Sequence, residues 1–239
     1  MSKMKCLVAE LGIIDYQSAL DLQMNLVTMR AESKLPDMLL LLEHPHVYTV
    51  GRRFDSSHLV LTDEEMEMKG VKLFHSDRGG EITYHGPGQL VGYPIIEIGG
   101  ISMIKYYLRN LEEVLLRTVR DFGIDADRLP GYPGVWFGLE KLGAIGLRVS
   151  RGVTKHGFAL NVATDLCYFD GIIPCGLRDK GVTSLSKLLG LEVPLEPVRS
   201  RVIENFGRVF HVDMVPIPGE EILKVGLGEI PINKEYYAG

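Results

Sequence analysis

The stretch Arg78–Pro94 reads RGGEITYHGPGQLVGYP and contains five glycines and two prolines among its polar side chains. Glycine allows close approach to the backbone and destabilises regular structure. The stretch is therefore predicted to be a bent backbone that leads into the run Leu90–Ile98. The polar donors beside the glycines favour a site loop, in which His85 is either a base or a structural donor.

Hydrophobic patterns on the N-terminal side of this stretch predict alternating strands and a helix. The chain opens with a strand that ends before Asp15, and Asp15 is expected to cap the helix that follows it. The predicted elements are the helix Asp15–Lys34, with Tyr16, Ala19, Leu20, Met24 and Val27 on one face, and the strands Met38–Glu43, His46–Gly51 and Val71–His75.

The residues on the C-terminal side predict further helices and the centre of the sheet. The predicted elements are an amphipathic helix from Ile104 to about Gly123, strands over Val135–Val162, a loop over Gly171–Lys180, and helices at Ser184–Leu189 and Val198–Phe210. Alternation places Phe158, Leu160 and Val162 on one face of a strand. We predict one domain over residues 1–239, with no assigned role for the stretch after about residue 194.

The composition of the 239 residues excludes several classes of protein. The chain is 46% hydrophobic and 24% charged, as in ordinary globular proteins, and its net charge of −5 argues against nucleic-acid binding. No apolar run reaches the length of about 18 residues that a membrane span needs, and the N-terminus does not resemble a signal peptide. We therefore expect a cytoplasmic protein without membrane or nucleic-acid partners.

Only three cysteines occur, so a disulfide framework is not expected. Cys6 and Cys167 have apolar neighbours and are predicted to be small buried side chains. Cys175 differs, because the loop IIPCGLRDKG places it beside glycine, proline and basic residues. Its thiol is the candidate nucleophile, and an ammonium group about 4 Å away would stabilise the thiolate enough for reaction near neutral pH.

Several motifs of the chain resemble the lipoyl (octanoyl) transferases of protein lipoylation, which have a biotin/lipoate-protein ligase-like fold. The motifs are RGGEITYHGPGQLVGYP (78–94), EHPHVYTVGRR (43–53), PGVWF (133–137), KLGAIGLRV (141–149), HGFALNV (156–162) and IIPCGL (172–177). The resemblance implies an α/β (α+β) catalytic domain with a mixed central sheet flanked by helices.

The resemblance also implies the site residues. The family uses a cysteine/lysine dyad, which falls on Cys175 and Lys141. Considered alone, Lys141 would be read as a surface lysine. The implied substrate-binding residues are Arg78, Gly79, Gly80, Glu81, Ile82, Thr83, Tyr84, His85, Ala144, Ile145, Gly146, His156, Gly157, Phe158 and Ala159.

The implied reaction transfers an octanoyl group from octanoyl-acyl carrier protein to a lysine through an acyl-Cys175 thioester, without ATP or a metal. The implied acceptors are lipoyl domains of 2-oxoacid dehydrogenase complexes and the glycine-cleavage H protein. The segment Lys141–His156 contains no Asp or Glu. The basic residues from Arg148 to Lys155, with Arg52 and Arg53, are expected to receive the acidic carrier protein unless they only form a solvated surface.

Other readings of the same motifs stay open. An ATP-dependent lipoate or biotin ligase would share the fold, a non-catalytic acyl-binding protein would need the glycine loops but no dyad, and a thiol hydrolase would pass the acyl group to water. No paired zinc-ligand spacing and no GxGxxG or Walker A pattern occurs in the sequence.

Overall fold

The computed structural model describes residues 3–173 and 180–236. Its strands are β1 (Met4–Ile13), β2 (Asp37–Glu43), β3 (Val47–Val50), β4 (Lys72–His75), β5 (Ile82–His85), β6 (Gln89–Ile95), β7 (Asp127–Leu129), β8 (Tyr132–Phe137), β9 (Glu140–Ser150), β10 (Val153–Asn161), β11 (Gly181–Val182) and β12 (Val212–Pro216). Its helices are α1 (Tyr16–Ala31), α2 (Asp63–Met68), α3 (Ile104–Asp121), α4 (Leu185–Leu189), α5 (Leu195–Phe210) and α6 (Gly219–Gly226).

The strands form two sheets. The larger sheet has the order β12-β1-β2-β6-β10-β9-β8-β7, with β11 paired to β9, and the smaller one has the order β4-β3-β5. In the larger sheet β1 is parallel to both of its neighbours, whereas β10 is antiparallel to both β6 and β9. The expected mixed central sheet is therefore confirmed.

Helices cover both faces of the larger sheet, because its strands alternate apolar side chains between the two faces. On one face, Leu115 of α3 and Phe206 of α5 pack in a core that includes Phe158 and Leu160 of β10. On the other face, α1 and α6 pack in a core that includes Ala159. The predicted alternation along β10 is correct. No helix among the described residues is both long and apolar enough to cross a bilayer.

Helix α1 begins as predicted but faces the core with partly different residues. The Asp15 carboxylate accepts hydrogen bonds from the backbone N–H groups of Gln17 and Ser18. Met24, predicted to face the core, is about half exposed, whereas Leu22 and Leu26 are buried. The predicted apolar face of α1 is rotated away from the buried one, because α6 and β10 contact the side that carries Leu22 and Leu26. The sequence of α1 does not show which elements pack against it.

The glycine-rich stretch is more regular than predicted, since it contains β5 and most of β6. Its bends are confined to Gly80 and Gly88, which have φ angles of 94° and 78°. Gly92 lies within β6 and serves packing instead, because a Cβ atom there would lie 2.1 Å from the Phe158 ring. Glycine in this stretch therefore provides both turns and space for a neighbouring ring.

The C-terminal stretch, which sequence patterns did not assign, completes the sheet. Strand β12 pairs in parallel with β1, and its Pro216 lies at the edge of the sheet, where a missing N–H is tolerated. Helix α6 follows Pro218 and packs through Ile222 and Val225 against α1. The expectation of a single domain over residues 1–239 stays a prediction.

Gly157→Ala is expected to lower the free energy of unfolding by about 2 kcal/mol, because the new Cβ would lie 2.2 Å from the backbone oxygen of Gly92. Gly143→Ala in β9 is the matched control, since its Cβ would have neighbours no closer than 3.4 Å. Urea unfolding of both variants measures the difference. Equal stabilities would contradict this account of the contact between β6 and β10.

Candidate functional site

A cavity of about 720 Å³ lies where β5, β9 and β10 meet. Its lining contains nearly all of the residues predicted to bind substrate: Arg78, Gly79, Gly80, Glu81, Ile82, Thr83, His85, Ala144, Ile145, Gly146, His156, Gly157, Phe158 and Ala159. Lys141 lines the same cavity. Three sequence motifs that are far apart along the chain therefore meet around one space.

Tyr84 is the exception among the predicted substrate-binding residues, because it does not line the cavity. Alternation along β5 directs its side chain to the core of the smaller sheet, where its ring stacks on Tyr168 at 5.0 Å between centroids. Its hydroxyl lies 2.7 Å from His46 Nδ1. Tyr84 therefore lies outside the cavity lining, and its assignment as a substrate-binding residue stays a prediction.

The Arg78 side chain holds the glycine loop against β3. Its Nη2 donates to the backbone oxygen of Thr49 at 2.6 Å and to Thr49 Oγ1 at 2.9 Å. A Cβ atom on Gly51 would lie 2.5 Å from Gly80 O, and one on Gly146 would lie 3.2 Å from Arg78 Cδ. These glycines therefore allow the guanidinium group and the loop to approach the neighbouring strands.

The basic segment Lys141–His156 is partly internal. Lys155 Nζ lies 2.9 Å from the Asp77 carboxylate, and His156 Nε2 lies 2.8 Å from it. Both side chains are buried, so the expectation that Lys155 contributes to a docking surface is wrong, whereas Arg148 remains partly exposed. The hydrogen bond from His156 and the contact with Lys155 hold the pKa of Asp77 below its usual range.

His156 also has an unusual backbone conformation, with a φ of 57°. Its backbone N–H donates to Gln23 Oε1 at 2.7 Å, and its ring is held by Asp77. A non-glycine residue in this region typically costs about 1–2 kcal/mol, so these two hydrogen bonds stabilise a conformation that the chain alone disfavours. The bend presents Gly157 and Phe158 to the cavity.

Lys141 lies near the start of β9, at the wall of the cavity. Its Nζ is 4.7 Å from the centroid of the Trp136 ring, within the range of a cation–π contact. Strand β11, the first described strand after the Cys175 loop, pairs Val182 with Lys141. Cys175 itself lies outside the described residues, whereas Ile173 before it is bound by its N–H to His58 O at 2.8 Å.

The other two cysteines differ from each other. Cys6 is buried as predicted, and burial raises the pKa of its thiol far above the usual range. Cys167 was predicted to be buried but is exposed, because it opens a short 3₁₀ helix whose backbone is capped by Asp165. Among residues 3–173 and 180–236, no group of three His, Cys, Asp or Glu side chains is arranged to hold a metal ion.

Two buried histidines lie at the cavity: His85 lines it, and His44 contacts Tyr93 of its wall. His44 Nδ1 is 2.7 Å from Ile14 O, and its Nε2 is 2.7 Å from the hydroxyl of Tyr93, which lines the cavity. Because a carbonyl only accepts, Nδ1 carries the proton and Nε2 accepts from Tyr93. Burial lowers the pKa of His44 to about 4, and it lowers the pKa of His85 well below its ordinary value. Both rings are therefore neutral near pH 7.

Comparisons with known proteins decide the family. A family model described as the lipoyl protein ligase A/B catalytic domain matches residues 15–207. The chain belongs to this family. An octanoyltransferase of Solibacter usitatus is 47% identical over 212 residues, which cover 88% of this chain and 96% of that protein. An octanoyltransferase of Rubrobacter xylanophilus is 49% identical over 200 residues, covering 83% and 90%.

The solved structures agree on the fold of the family. A crystal structure of lipoate-protein ligase A bound with ATP superimposes with a TM-score of 0.70 at 17% identity, covering 99% of this chain and 98% of that one. At this identity the likeness concerns the fold alone. The predicted resemblance and the predicted ligase-like fold are both confirmed.

Several aromatic and apolar residues of the cavity were missed by the sequence analysis. They are Tyr16, Tyr93, Leu108, Tyr132 and Phe169. Tyr16 and Leu108 have the helical spacing of core residues, and this spacing does not distinguish a core face from a cavity wall. Tyr93 lies inside the glycine-rich motif, where its two-residue spacing from Val91 offered the best available signal.

The stability of the protein is expected to fall as the pH is lowered from 6.5 to about 4. His44 has its pKa lowered from 6.5 to about 4, so the unfolded chain takes up a proton in this window before the folded protein does. The contribution of neutral His44 to the free energy of unfolding is complete above pH 6.5, and it declines by about 3 kcal/mol as the pH approaches 4. Urea unfolding at several pH values measures it.

The matched variant for this measurement is His44→Gln, which keeps a donor and an acceptor but does not titrate. Carboxylates contribute equally in both proteins, so the difference between the two pH profiles reports His44. Parallel profiles for the parent and His44→Gln between pH 6.5 and 4 would refute a depressed pKa.

Proposed function

We propose that this protein transfers an octanoyl group from octanoyl-acyl carrier protein to a lysine of a lipoyl domain, with Cys175 as the transient acyl carrier and Lys141 as its activating base. The observation that carries the proposal is the pairing of Lys141, at the cavity wall, with the strand that follows the Cys175 loop. The enzyme class is established by the relatives, which are octanoyltransferases, so the predicted acyltransferase is confirmed.

The proposed first step is attack of the Cys175 thiolate on the thioester carbonyl of the donor. The new carbon–sulfur bond forms as the pantetheine thiolate of the carrier leaves and takes up a proton. The lysine amine of the acceptor then attacks the acyl-Cys175 thioester, and the regenerated thiolate leaves as the amide forms. In this scheme Lys141 stabilises the thiolate and shuttles protons.

The cavity supports this chemistry through its walls. Ile145, Phe158 and Leu108 offer apolar contacts for a medium acyl chain, and a volume of about 720 Å³ is sufficient for a small ligand. The backbone N–H groups of the glycine loops are candidate donors to the developing oxyanion. Loss of one such donor typically costs about 3 kcal/mol of transition-state stabilisation.

The proposed route uses neither ATP nor a metal, because exchange between thioesters is nearly balanced in energy and formation of an amide from a thioester is downhill. The proposed acceptors are the lipoyl domains of 2-oxoacid dehydrogenase complexes and the glycine-cleavage H protein. Arg52 and Arg53, both exposed at the cavity, are the proposed contacts for the acidic carrier. A cytoplasmic location stays a prediction.

Incubation with octanoyl-acyl carrier protein is expected to add one octanoyl mass to the parent protein and none to Cys175→Ala, as read by intact-mass spectrometry. Addition of a lipoyl domain without nucleotide should then discharge the acyl group onto its lysine. Acylation of the Cys175→Ala variant would exclude Cys175 as the nucleophile. Acylation only from free octanoate with ATP would identify a ligase, and release of octanoate without acceptor would identify a hydrolase.

Lys141→Ala is expected to raise the pKa of the Cys175 thiol toward the reference value of about 8.5, because it removes the neighbouring ammonium group. The rate of alkylation by iodoacetamide as a function of pH reports this pKa. The measurement requires a Cys167→Ser background, since Cys167 is exposed, whereas Cys6 is buried. The same alkylation pKa with and without Lys141 would contradict the proposed activation.

A further inference from the structure

Asn161 is the last residue of β10. It lies at the point where β11 replaces β10 as the hydrogen-bonded neighbour of β9. Strand β10 pairs with β9 as far as Gly143, and β11 pairs with β9 at Glu140 and Lys141. The neighbour of β9 on this side is therefore β10 along most of its length and β11 at the position of Lys141. The two-residue strand β11 is too short to hold this arrangement by backbone pairing alone.

The Asn161 side chain bridges this junction. Its Nδ2 donates to Thr183 O at 2.9 Å, and Thr183 N–H in turn donates to Lys141 O at 3.0 Å. Two hydrogen bonds in series therefore connect the Asn161 amide to the main chain of Lys141. Thr183 is also the residue directly after β11, the strand that returns from the Cys175 loop.

Gln89 fixes which way the Asn161 amide points. Gln89 Nε2 donates to Asn161 Oδ1 at 2.9 Å and to Tyr84 O at 3.2 Å, while Gln89 Oε1 lies 2.7 Å from His85 Nδ1. Because an amide oxygen only accepts, His85 Nδ1 carries the proton. Every donor in this chain of hydrogen bonds therefore points from His85 toward Thr183. A flipped Asn161 amide would place its oxygen against Thr183 O.

Because these groups are buried, water cannot readily replace any of their hydrogen bonds. The exposed fractions of Gln89, Asn161 and Thr183 are 2%, 4% and 0%. A buried polar group that loses its partner is not readily satisfied by water, so removal of one member penalises the others. The orientation of the Gln89 and Asn161 side-chain amides therefore determines how Thr183 is held against the main chain of Lys141.

We infer that Asn161 is a positioning residue for Lys141, oriented by Gln89, and that it sets the distance between the start of β9 and the strand that follows the Cys175 loop. The inference rests on the proposed function, because its consequence for chemistry is the reactivity of Cys175 in the proposed dyad with Lys141. Asn161 and Gln89 also line the cavity. The role inferred for Asn161 is exerted through Thr183 and not through contact with the reacting atoms.

The test is Asn161→Asp in the Cys167→Ser background. Aspartate still accepts from Gln89 but presents an oxygen to Thr183 O in place of a donor. The rate of Cys175 acylation by octanoyl-acyl carrier protein is expected to fall about tenfold or more, because small misplacements of reacting groups are costly. The KM for the donor should stay within about twofold, and the alkylation pKa of Cys175 should rise.

Asn205→Asp in the same background is the matched control. Asn205 is also buried, and its Nδ2 donates to Asp121 Oδ2 at 2.9 Å, so this variant too loses a donor opposite an oxygen. It lies in α5 and does not line the cavity. We expect a lowered melting temperature in both variants but an altered alkylation pKa and acylation rate only in Asn161→Asp.

Equal alkylation and acylation profiles for the two variants would overturn the positioning role. Asn161→Ala is measured beside Asn161→Asp with the same two outcomes expected, since it removes the donor without adding a charge that would itself act on Lys141. Gln89→Glu is a second arm, because it keeps the acceptor for His85 and loses the donor to Asn161. A parent protein that takes up no octanoyl group would overturn the proposed function itself, whereas normal acylation in every variant overturns only this inference.

Discussion

The close contact between β6 and β10 is the constraint on which the rest of the cavity depends. The backbone oxygen of Gly92 occupies the space that a Cβ atom of Gly157 would need, and the Phe158 ring occupies the space beside Gly92. The absence of side chains at Gly92 and Gly157 therefore allows β6 and β10 to approach closely and the Phe158 ring to pack against β6. The left-handed backbone of His156 follows from the same contact, because the chain must turn sharply to bring Gly157 against β6.

The buried histidines near this contact add no positive charge to the interior. Asp77 pairs with Lys155 near the surface, whereas the deeper His44 and His85 have lowered pKa values and stay neutral. A charged imidazole at either position would carry the cost of burial, and at His85 it would also repel the Arg78 guanidinium that holds the glycine loop. The stability of the loop and the neutrality of His85 are therefore linked.

Sequence predicted the elements with strong periodicity and the motifs that meet in the cavity. Helix α3 and the alternation of β10 were recognisable because their apolar spacing is regular. The exposure of Cys167 was missed, although its backbone partner Asp165 is only two residues away. The orientation of Tyr84 and the pairing of Lys155 with Asp77 were not recognisable, because each depends on a partner distant along the chain. Strand β12 and helix α6 were missed for a similar reason, since they are stabilised by β1 and α1 and not by a local pattern.

The use of amides at the junction of β9, β10 and β11 has an electrostatic reason. An ion pair at the positions of Gln89 and Asn161 would also fix geometry, but each buried charge would act on Lys141 and on any thiolate beside it. A carboxylate would compete with the thiolate for the ammonium group, and a cation would repel that ammonium group. Neutral amides hold Thr183 with directional hydrogen bonds and add no charge to the proposed dyad of Lys141 and Cys175. The geometry and the charge at Lys141 are therefore set by separate groups.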